Sequence, residues 1–278
     1  MKVSIGWLKE LVDTKLSPKD LADKLSLVSI GVKELSGSFM ELDLTYNRGD
    51  LLSLRGVAKE IAAITNSKVN FRDEEFPKFN LPQTTVKVEN PDLAPVYCVA
   101  KIEGLKVGPS GPEWVKKLAD CGMRSINNVA DVTNLAMLEF GQPMHAFDAA
   151  VVAGETLVVR TATPGETMTT LDGKMRKLST GDLLIADPEK PLGMAGVMGG
   201  KQSEVSDSTT TVLLEAAIFD PIMNRKTAKR HGLFSEASRR FQHGLTKRNL
   251  LQALAAAIKM YEGLGGKLTA ITLTGDLE

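Results

Sequence analysis

Thr133–Asp148 reads Thr-Asn-Leu-Ala-Met-Leu-Glu-Phe-Gly-Gln-Pro-Met-His-Ala-Phe-Asp, and the rest of the chain is organised around this stretch. Its first half has the apolar spacing of an amphipathic helix, which Gly141 and Pro143 then end. His145 follows in an apolar turn. The chain contains only three histidines, so an imidazole held in such a turn is a candidate functional group.

A second candidate, Glu215, interrupts a strand further along the chain. Residues 211–217 are otherwise mostly apolar and predict a buried strand. A buried carboxylate without a partner costs several kcal/mol, so Glu215 must meet a partner or face a cavity. The run Gly196–Gly200 is rich in glycine and lets a ligand or another backbone approach closely. Two interpretations stay open: His145, Glu215 and this run form one pocket, or both polar groups are satisfied structural residues.

Length and composition bound the possible classes of protein. At 278 residues the chain suits one large domain, or a small one followed by a medium one. Lys plus Arg and Asp plus Glu number 34 each, so RNA binding requires a local basic patch, and no DNA partner is expected. Cys98 and Cys121 lack Cys-x-x-Cys spacing, which argues against a zinc site or a disulfide framework and favours a reducing cytoplasm. No long apolar run indicates a signal peptide or a membrane span.

Helix and strand signals divide the chain into two predicted domains. Residues 1–82 combine a capped helix that starts at Pro18 with a strand and a further helix that Asp50 caps. They form a small N-terminal α+β domain, whose linker is predicted at 70–82 because that segment contains two prolines and mixed charge. Short strands dominate after it. The predicted fold class is α+β, with a larger mixed-sheet domain over residues 83–278.

Basic side chains gather on and after a predicted helix that opens at Asp220-Pro221. A solvated helix face explains such a run without any partner, whereas contact with an RNA backbone is the sharper hypothesis. The candidate RNA contacts are Arg225, Lys229, Arg239 and Arg240.

The motifs of several enzyme classes are absent from the sequence. We find no Gly-x-x-x-x-Gly-Lys phosphate loop, no Gly-x-Ser-x-Gly elbow and no His-Glu-x-x-His pair. We also identify no set of metal ligands and no serine or cysteine in a nucleophile context. If the chain is an enzyme, water is the expected nucleophile, and positioning and dipoles must supply most of the rate acceleration.

Several motifs occur in the same order as in a known family, over nearly the whole chain. These motifs are Lys2–Val12, Asn47-Arg48-Gly49-Asp50, Asp131–Asn134, Phe140–Asp148, Leu171–Lys174, Met194–Gly200, Leu213–Ala216 and Glu236-Ala237-Ser238. With them the sequence resembles the β subunit of bacterial-type phenylalanyl-tRNA synthetase, in its N-terminal domain and its editing domain. The family's subunit is typically longer, and its OB-fold insert would fall near residues 36–39, where this chain has only a short join.

The resemblance implies a hydrolytic function for the larger domain. The family's editing domain removes tyrosine that is wrongly esterified to the phenylalanine tRNA. By similarity, Glu215 would accept the hydrogen bond of the phenol, and His145 would orient the terminal ribose or the attacking water. A second pocket that must hydrogen-bond an added hydroxyl can be very selective. The resemblance also places Thr133 and Asn134 near the ester, and Gly196, Gly199, Ala237 and Ser235 around the substrate.

Cofactors and partners are implied by the same resemblance. Editing would need no metal and no cofactor, whereas ATP and magnesium would belong to the complete synthetase. The expected partners are the phenylalanine tRNA and the synthetase α subunit, in a cytoplasmic heterotetramer. Rival interpretations are a free-standing trans-editing deacylase and a non-catalytic scaffold or amino-acid-binding module.

Two motifs depart from the family's usual pattern. The family usually has Arg-Phe-Glu-Arg-Gly where this chain reads Arg240-Phe-Gln-His-Gly. The family's Asn-Arg-Pro-Asp turn has Gly49 in place of proline, which predicts a mild loosening of the turn. The sequence leaves open whether editing is retained with Gln242 and His243, and lost editing would favour the binding module.

Overall fold

The computed structural model describes residues 1–77 and 81–275. Helices and strands are interleaved along this part of the chain, and the strands form separate sheets. This arrangement confirms the predicted α+β class. Residues 78–80 of the predicted linker and residues 276–278, at the end of the predicted larger domain, lie outside the described residues.

The N-terminal region consists of a three-stranded antiparallel sheet covered by helices. The predicted helix start at Pro18 is confirmed, because the Ser17 hydroxyl caps that helix. The cap predicted at Asp50 is wrong. Ser53 caps the following helix instead, because residues 49–52 form a short 3-10 turn and the α-helix begins only at Leu54. In chain order the elements are β1 (Lys2–Ser4), α1 (Ile5–Leu11), α2 (Pro18–Val28), β2 (Gly31–Leu35), β3 (Phe39–Asp43) and α3 (Leu54–Thr65).

Strands β2 and β3 are joined by residues 36–38 as a tight hairpin. The amide of Ser36 donates a hydrogen bond to the carbonyl of Phe39 over 2.9 Å. This is the position at which the resemblance placed the family's OB-fold insert. The connection here contains no folded insertion.

Strands outnumber helices in the described chain after residue 81, although the two contain similar numbers of residues. The elements are β4 (Thr85–Val88), β5 (Val96–Glu103), α4 (Pro112–Asp120), α5 (Asn128–Phe140), β6 (Met144–Asp148), β7 (Thr156–Thr161), β8 (Thr167–Thr169), β9 (Met175–Lys177), β10 (Leu183–Ala186), β11 (Pro191–Met194), β12 (Met198–Gly199), β13 (Thr211–Ile218), α6 (Pro221–His231), α7 (Glu236–Phe241), α8 (Lys247–Gly263) and β14 (Lys267–Thr274). The helix predicted to end at Gly141 does so, with Gly141 in the left-handed conformation at φ 79°.

Two of these sheets pack face to face. The four-stranded sheet is antiparallel in the order β14-β5-β13-β6. The five-stranded sheet is mixed, in the order β12-β11-β10-β7-β4, and β4 runs parallel to β7. One face of the four-stranded sheet packs against α5 and α8, and the other packs against the five-stranded sheet. Because both of its faces are buried, β5 and β13 are almost continuously apolar.

The core of the N-terminal region extends beyond the predicted domain boundary. Leu118 of α4 and Leu135 of α5 are buried in the same cluster as the apolar residues of α1, α2 and α3. The described part of the predicted linker is also held in place, because Asp73 binds both Arg55 and Gln252. The division between residues 82 and 83 therefore stays a prediction, and the two regions share packed side chains.

Membrane-spanning helices and metal clusters are both missing from residues 1–77 and 81–275. No helix there is long and apolar enough to cross a bilayer, and no group of three or more His, Cys, Asp or Glu side chains is placed to hold an ion. Cys98 and Cys121 are buried free thiols. Burial raises the pKa of Cys98 to about 12 and that of Cys121 to about 11.

Candidate functional site

His145 and Glu215 lie opposite each other on neighbouring antiparallel strands. The register of β6 and β13 makes them direct partners, and residues in such a pair project from the same face of the sheet. That face is the one that packs against the five-stranded sheet. Strand alternation explains the placement, since Leu214 and Ala216 on either side of Glu215 point to the opposite, helix-covered face.

The glycine-rich run lies directly against this pair. A Cβ atom added at Gly199 would be 2.8 Å from Cε1 and 3.0 Å from Nε2 of His145, so the imidazole rests on bare backbone. Gly196 has a φ of +65°, and a Cβ there would be 2.6 Å from both Asn224 Nδ2 and Phe241 Cδ2. Side chains at either position would collide with their surroundings. The glycines therefore allow the turn between β11 and β12 to form one wall of the site.

A small cavity lies between these groups, with about 460 Å³ of empty space including its open mouth. Its walls are mainly apolar, and His145 and Glu215 are its two ionisable side chains. The rings of Phe219 and Phe241 form part of the wall, with centroids 5.0 Å apart. The lining residues are Pro143, Met144, His145, Phe147, Ile185, Gly193, Met194, Ala195, Gly196, Val197, Met198, Gly199, Glu215, Phe219, Ala237 and Phe241.

Burial makes both ionisable groups neutral at pH 7. It raises the pKa of Glu215 from 4.5 to about 8, and it lowers the pKa of His145 from 6.5 to about 4. The imidazole packs edge-on against Phe147, with ring centroids 4.5 Å apart. Nε2 of His145 is buried and has no hydrogen-bond partner among the described residues. Such an atom is destabilising by about 1 to 3 kcal/mol, which a hydrogen-bonding ligand would relieve.

The structure brings five of the eight predicted pocket residues together in this cavity: His145, Glu215, Gly196, Gly199 and Ala237. Their functional roles stay predictions.

Ser235 lies beside the cavity and does not line it. Its hydroxyl donates to the Val197 carbonyl over 2.7 Å and also caps α7, so it ties α7 to the glycine-rich turn. Thr133 and Asn134 lie on α5, outside the lining residues. The Thr133 hydroxyl donates to the Ala130 carbonyl over 2.7 Å. Proximity of Thr133 and Asn134 to a bound ester also stays a prediction.

The candidate RNA contacts separate into surface and buried residues. Arg225 and Lys229 are exposed on α6, and Arg239 is partly exposed on α7. The prediction that Arg240 contacts RNA is corrected, because this side chain is only 1% exposed. Its guanidinium donates to the Leu52 carbonyl over 2.9 Å and pairs with Glu236 at 2.7 Å. Arg240 therefore ties α7 to the N-terminal region and does not present a charge to RNA at the surface.

Tyr97 is a polar residue of this region that the sequence did not reveal. It is fully buried on β5, on the same sheet face as His145 and Glu215, and its hydroxyl has no partner among the described residues. Burial raises the pKa of Tyr97, and the nearby Glu215 carboxylate raises it further. A single tyrosine in an apolar strand is typical of a core residue, so only the pairing of β5 with β13 could have identified it.

Comparisons with known proteins identify the family to which the chain belongs. The model of the B3/4 domain matches residues 93–266. The phenylalanine–tRNA ligase beta subunit of Geobacter sulfurreducens is 43% identical over 271 residues, which are 96% of this chain and 33% of that protein. The same subunit of Carboxydothermus hydrogenoformans is 45% identical over 240 residues, 85% of this chain and 30% of that protein. The chain thus spans about a third of the length of these curated relatives.

A solved structure also aligns with the chain. It is an N-terminal fragment of the phenylalanyl-tRNA synthetase beta subunit from Pyrococcus horikoshii, with a TM-score of 0.46 and 17% identity, covering 99% of this chain and 79% of the other. At that score the likeness adds no support of its own. The B3/4 model and the curated relatives confirm the resemblance to phenylalanyl-tRNA synthetase β subunits, and the chain belongs to the B3/4 domain family.

Proposed function

We propose that this chain is the editing part of a phenylalanyl-tRNA synthetase β subunit and hydrolyses tyrosine wrongly esterified to the phenylalanine tRNA. One observation carries the proposal: a carboxyl and an imidazole face the same apolar cavity from paired positions of two strands. The partners are the phenylalanine tRNA and the synthetase α subunit, in the cytoplasm. Editing uses no cofactor, and ATP and magnesium enter only with the complete synthetase.

Selectivity for tyrosine follows from the hydroxyl that distinguishes it from phenylalanine. With a pKa of about 8, Glu215 is mainly protonated at pH 7, so its carboxyl can accept a hydrogen bond from the phenol and also donate one. A phenylalanine ring would leave this carboxyl unpaired at a cost of about 1 to 3 kcal/mol. A site of this kind rejects the substrate that lacks the hydroxyl far more strongly than an apolar pocket can reject an added one.

Hydrolysis uses water as the nucleophile, and His145 positions the reacting groups. With a pKa of about 4, the imidazole is neutral at pH 7, and one ring nitrogen can accept a hydrogen bond while the other donates. An imidazole with so low a pKa is a weak base, so its contribution is to hold the water or the terminal ribose near the ester carbonyl. Thr133 and Asn134 are candidates for further contacts with the ribose and the ester.

An ester hydrolysis assay tests the proposal. The chain is incubated with tyrosyl-tRNA for phenylalanine, and loss of the ester is followed over time, with the phenylalanyl ester as a second substrate. We expect the tyrosyl ester to be cleaved much faster, and Glu215→Ala and His145→Ala to lose this activity. The exposed Glu204→Ala is the matched control and should retain it. Equal cleavage of both esters, or none by the wild-type chain, would overturn the proposal.

The rival interpretations give different results in the same experiments. Binding of free tyrosine without turnover would indicate an amino-acid-binding module. Copurification of an α subunit with the chain would support the synthetase subunit. Active editing by a chain that binds no α subunit would indicate a free-standing deacylase.

A further inference from the structure

A groove beside the cavity contains two solvent-exposed aromatic side chains. Tyr46 is 62% exposed and Phe234 is 77% exposed, and no other aromatic residue in the described part of the chain is comparably exposed. Both line a groove formed by the turn after β3 and by α7. Large aromatic rings are normally buried, so two of them sharing one open groove mark a candidate binding surface.

The groove and the candidate editing cavity share helix α7. Ala237 and Phe241 of this helix face the cavity, whereas Arg239 and Gln242 face the groove. Because α7 has six residues, it is about 9 Å long. The groove and the cavity are therefore lined by neighbouring residues of one short helix and its end.

Two arginines lie at the groove, one of them against an aromatic ring. The guanidinium of Arg225 lies 5.9 Å from the centre of the Tyr46 ring, and Arg239 lines the groove. Arg239 has an acidic neighbour in Glu236 at 3.7 Å. Arg225 forms no ion pair with the described residues and is exposed on α6, next to the exposed Lys229 one turn away. The surface thus has cationic groups available for an anionic ligand.

His243 adds a further ring to this surface. Its imidazole lies 4.6 Å from the Tyr46 ring, and its Nδ1 is 2.7 Å from the Arg239 carbonyl. A Cβ atom at Gly49 would be only 2.6 Å from the Cβ of His243. Gly49 and His243, one position from each of the two departing motifs, are therefore in direct contact. Together they place an aromatic ring in the groove where the usual motif has an arginine.

We propose that this groove binds the unpaired nucleotides at the 3′ end of an RNA, with bases stacked on Tyr46 and Phe234 and phosphates near Arg225 and Arg239. Exposed aromatic rings beside arginines recognise single-stranded RNA, because every base has a face that can stack and every nucleotide carries a phosphate. The inference rests on the proposed function, since it names how the same RNA is held beside the editing cavity. Base-paired RNA cannot bind in this way because its bases already stack within the helix.

Fluorescence anisotropy of a short, fluorescein-labelled single-stranded RNA with the 278-residue chain tests the proposal. We expect Tyr46→Ala and Phe234→Ala each to weaken binding by about fivefold or more, because each removes one stacked base. Tyr46→Phe keeps the ring and should keep the affinity. Leu27→Ala is the matched control: it removes a side chain that is 86% exposed on α2, outside the groove, and should not change binding.

Two further measurements test the role of charge and the preference for single-stranded RNA. Arg225→Gln should reduce the slope of log affinity against log salt concentration by about one. Unlabelled single-stranded RNA should displace the probe, whereas duplex RNA should not. The proposal is overturned if the wild-type chain does not bind the probe, if both alanine variants bind as wild type, or if duplex RNA competes equally well.

The same variants separate this inference from the proposed function. If the alanine variants of Tyr46 and Phe234 bind RNA and hydrolyse tyrosyl-tRNA like the wild type, the groove is misassigned and the editing proposal stands. If the wild-type chain binds the probe through both rings but cleaves no ester, the editing proposal fails and the groove assignment stands.

Discussion

The two sides of the four-stranded sheet each bury a tyrosine, and their surroundings differ. On the side covered by helices, the hydroxyl of Tyr261 donates to the Val129 carbonyl over 2.9 Å. On the side facing the five-stranded sheet, the hydroxyl of Tyr97 has no partner among the described residues, and Nε2 of His145 has none either. Packing thus satisfies the buried tyrosine of the helix-covered face. It leaves polar groups unsatisfied on the other face, and that is where the cavity lies.

Alternation along the strands produces this difference. Successive side chains of β13 point to opposite faces, so Leu214 and Glu215 are neighbours in sequence that occupy different environments. A one-residue shift of register would place the carboxyl in the helix-covered core. Strand pairing therefore sets the position of the candidate site. Four experiments can test how the helix-covered face of the four-stranded sheet differs from the face that borders the cavity.

Filling the cavity should have the largest effect on activity, because it removes the open space on the sheet face that borders the cavity. Ala237→Trp places a large ring in the cavity that Ala237 lines. We expect hydrolysis of tyrosyl-tRNA to fall by about 100-fold or more while the fold is retained, since the ester can no longer reach its position. The exposed Ala150→Trp is the control. Near wild-type rates in Ala237→Trp would mean that the substrate binds elsewhere.

Truncation of a buried side chain on the helix-covered face of the sheet should affect stability and leave activity unchanged. Leu214 is fully buried against the helices and does not line the cavity. We expect Leu214→Ala to lower the free energy of unfolding by about 2 to 5 kcal/mol, measured by chemical denaturation. The folded fraction should hydrolyse the ester at the wild-type rate. A loss of turnover comparable to that of Glu215→Ala would show that the two faces are not independent.

Glu215→Gln should change the pH dependence of stability. The pKa of Glu215 in the folded state, about 8, lies above its ordinary value of 4.5, so folding favours the protonated carboxyl. Between these two pH values the unfolded chain ionises while the folded chain does not, and the wild type therefore loses stability as pH rises. The glutamine variant lacks this loss, which we expect to be on the order of 4 kcal/mol between pH 4.5 and pH 8.

His145, which faces Glu215 across the strand pair, changes the stability with pH in the opposite direction. The pKa of His145 is lowered from 6.5 to about 4, so its contribution to stability is lost as pH falls through that window. Both the wild type and Glu215→Gln keep His145, and this contribution cancels in their difference. Thermal unfolding followed at several pH values measures that difference. Parallel curves for the two proteins would mean that Glu215 is ionised in the folded state.

The smallest expected effect comes from removing one hydroxyl on each face. Tyr261→Phe should lower the free energy of unfolding by about 1 kcal/mol, because it leaves the Val129 carbonyl without its donor. Tyr97→Phe should leave stability unchanged or raise it by up to about 1 kcal/mol, because its buried hydroxyl has no partner to lose. Equal destabilisation by both substitutions in denaturation experiments would show that Tyr97 is satisfied after all.

Local features of the fold were predictable from the sequence. Helix α2 begins at Pro18 and α5 ends at Gly141 as predicted, because proline and glycine restrict the backbone through interactions within a few residues. Glu215 lies in a strand and faces a cavity, because an unpaired carboxyl in an apolar strand has few alternatives.

Features that depend on distant parts of the chain were not predictable. Arg240 belongs to a basic run that is typical of a surface, but its partner is the Leu52 carbonyl in another region of the chain. Tyr97 comes close to Glu215 only through the pairing of β5 with β13. No local pattern encodes these tertiary partners.

The contact between Gly49 and His243 has a consequence for how this chain can vary. Any residue larger than glycine at position 49 would meet the histidine at its first side-chain atom, which has no rotamer by which to move away. The contact is with the Cβ atom of His243, which every residue except glycine has, so a side chain at position 49 requires the two backbone segments to move apart. Glycine at position 49 thus sets how closely the turn after β3 approaches the segment that follows α7, and this spacing, more than the identity of residue 243, limits what position 49 can be.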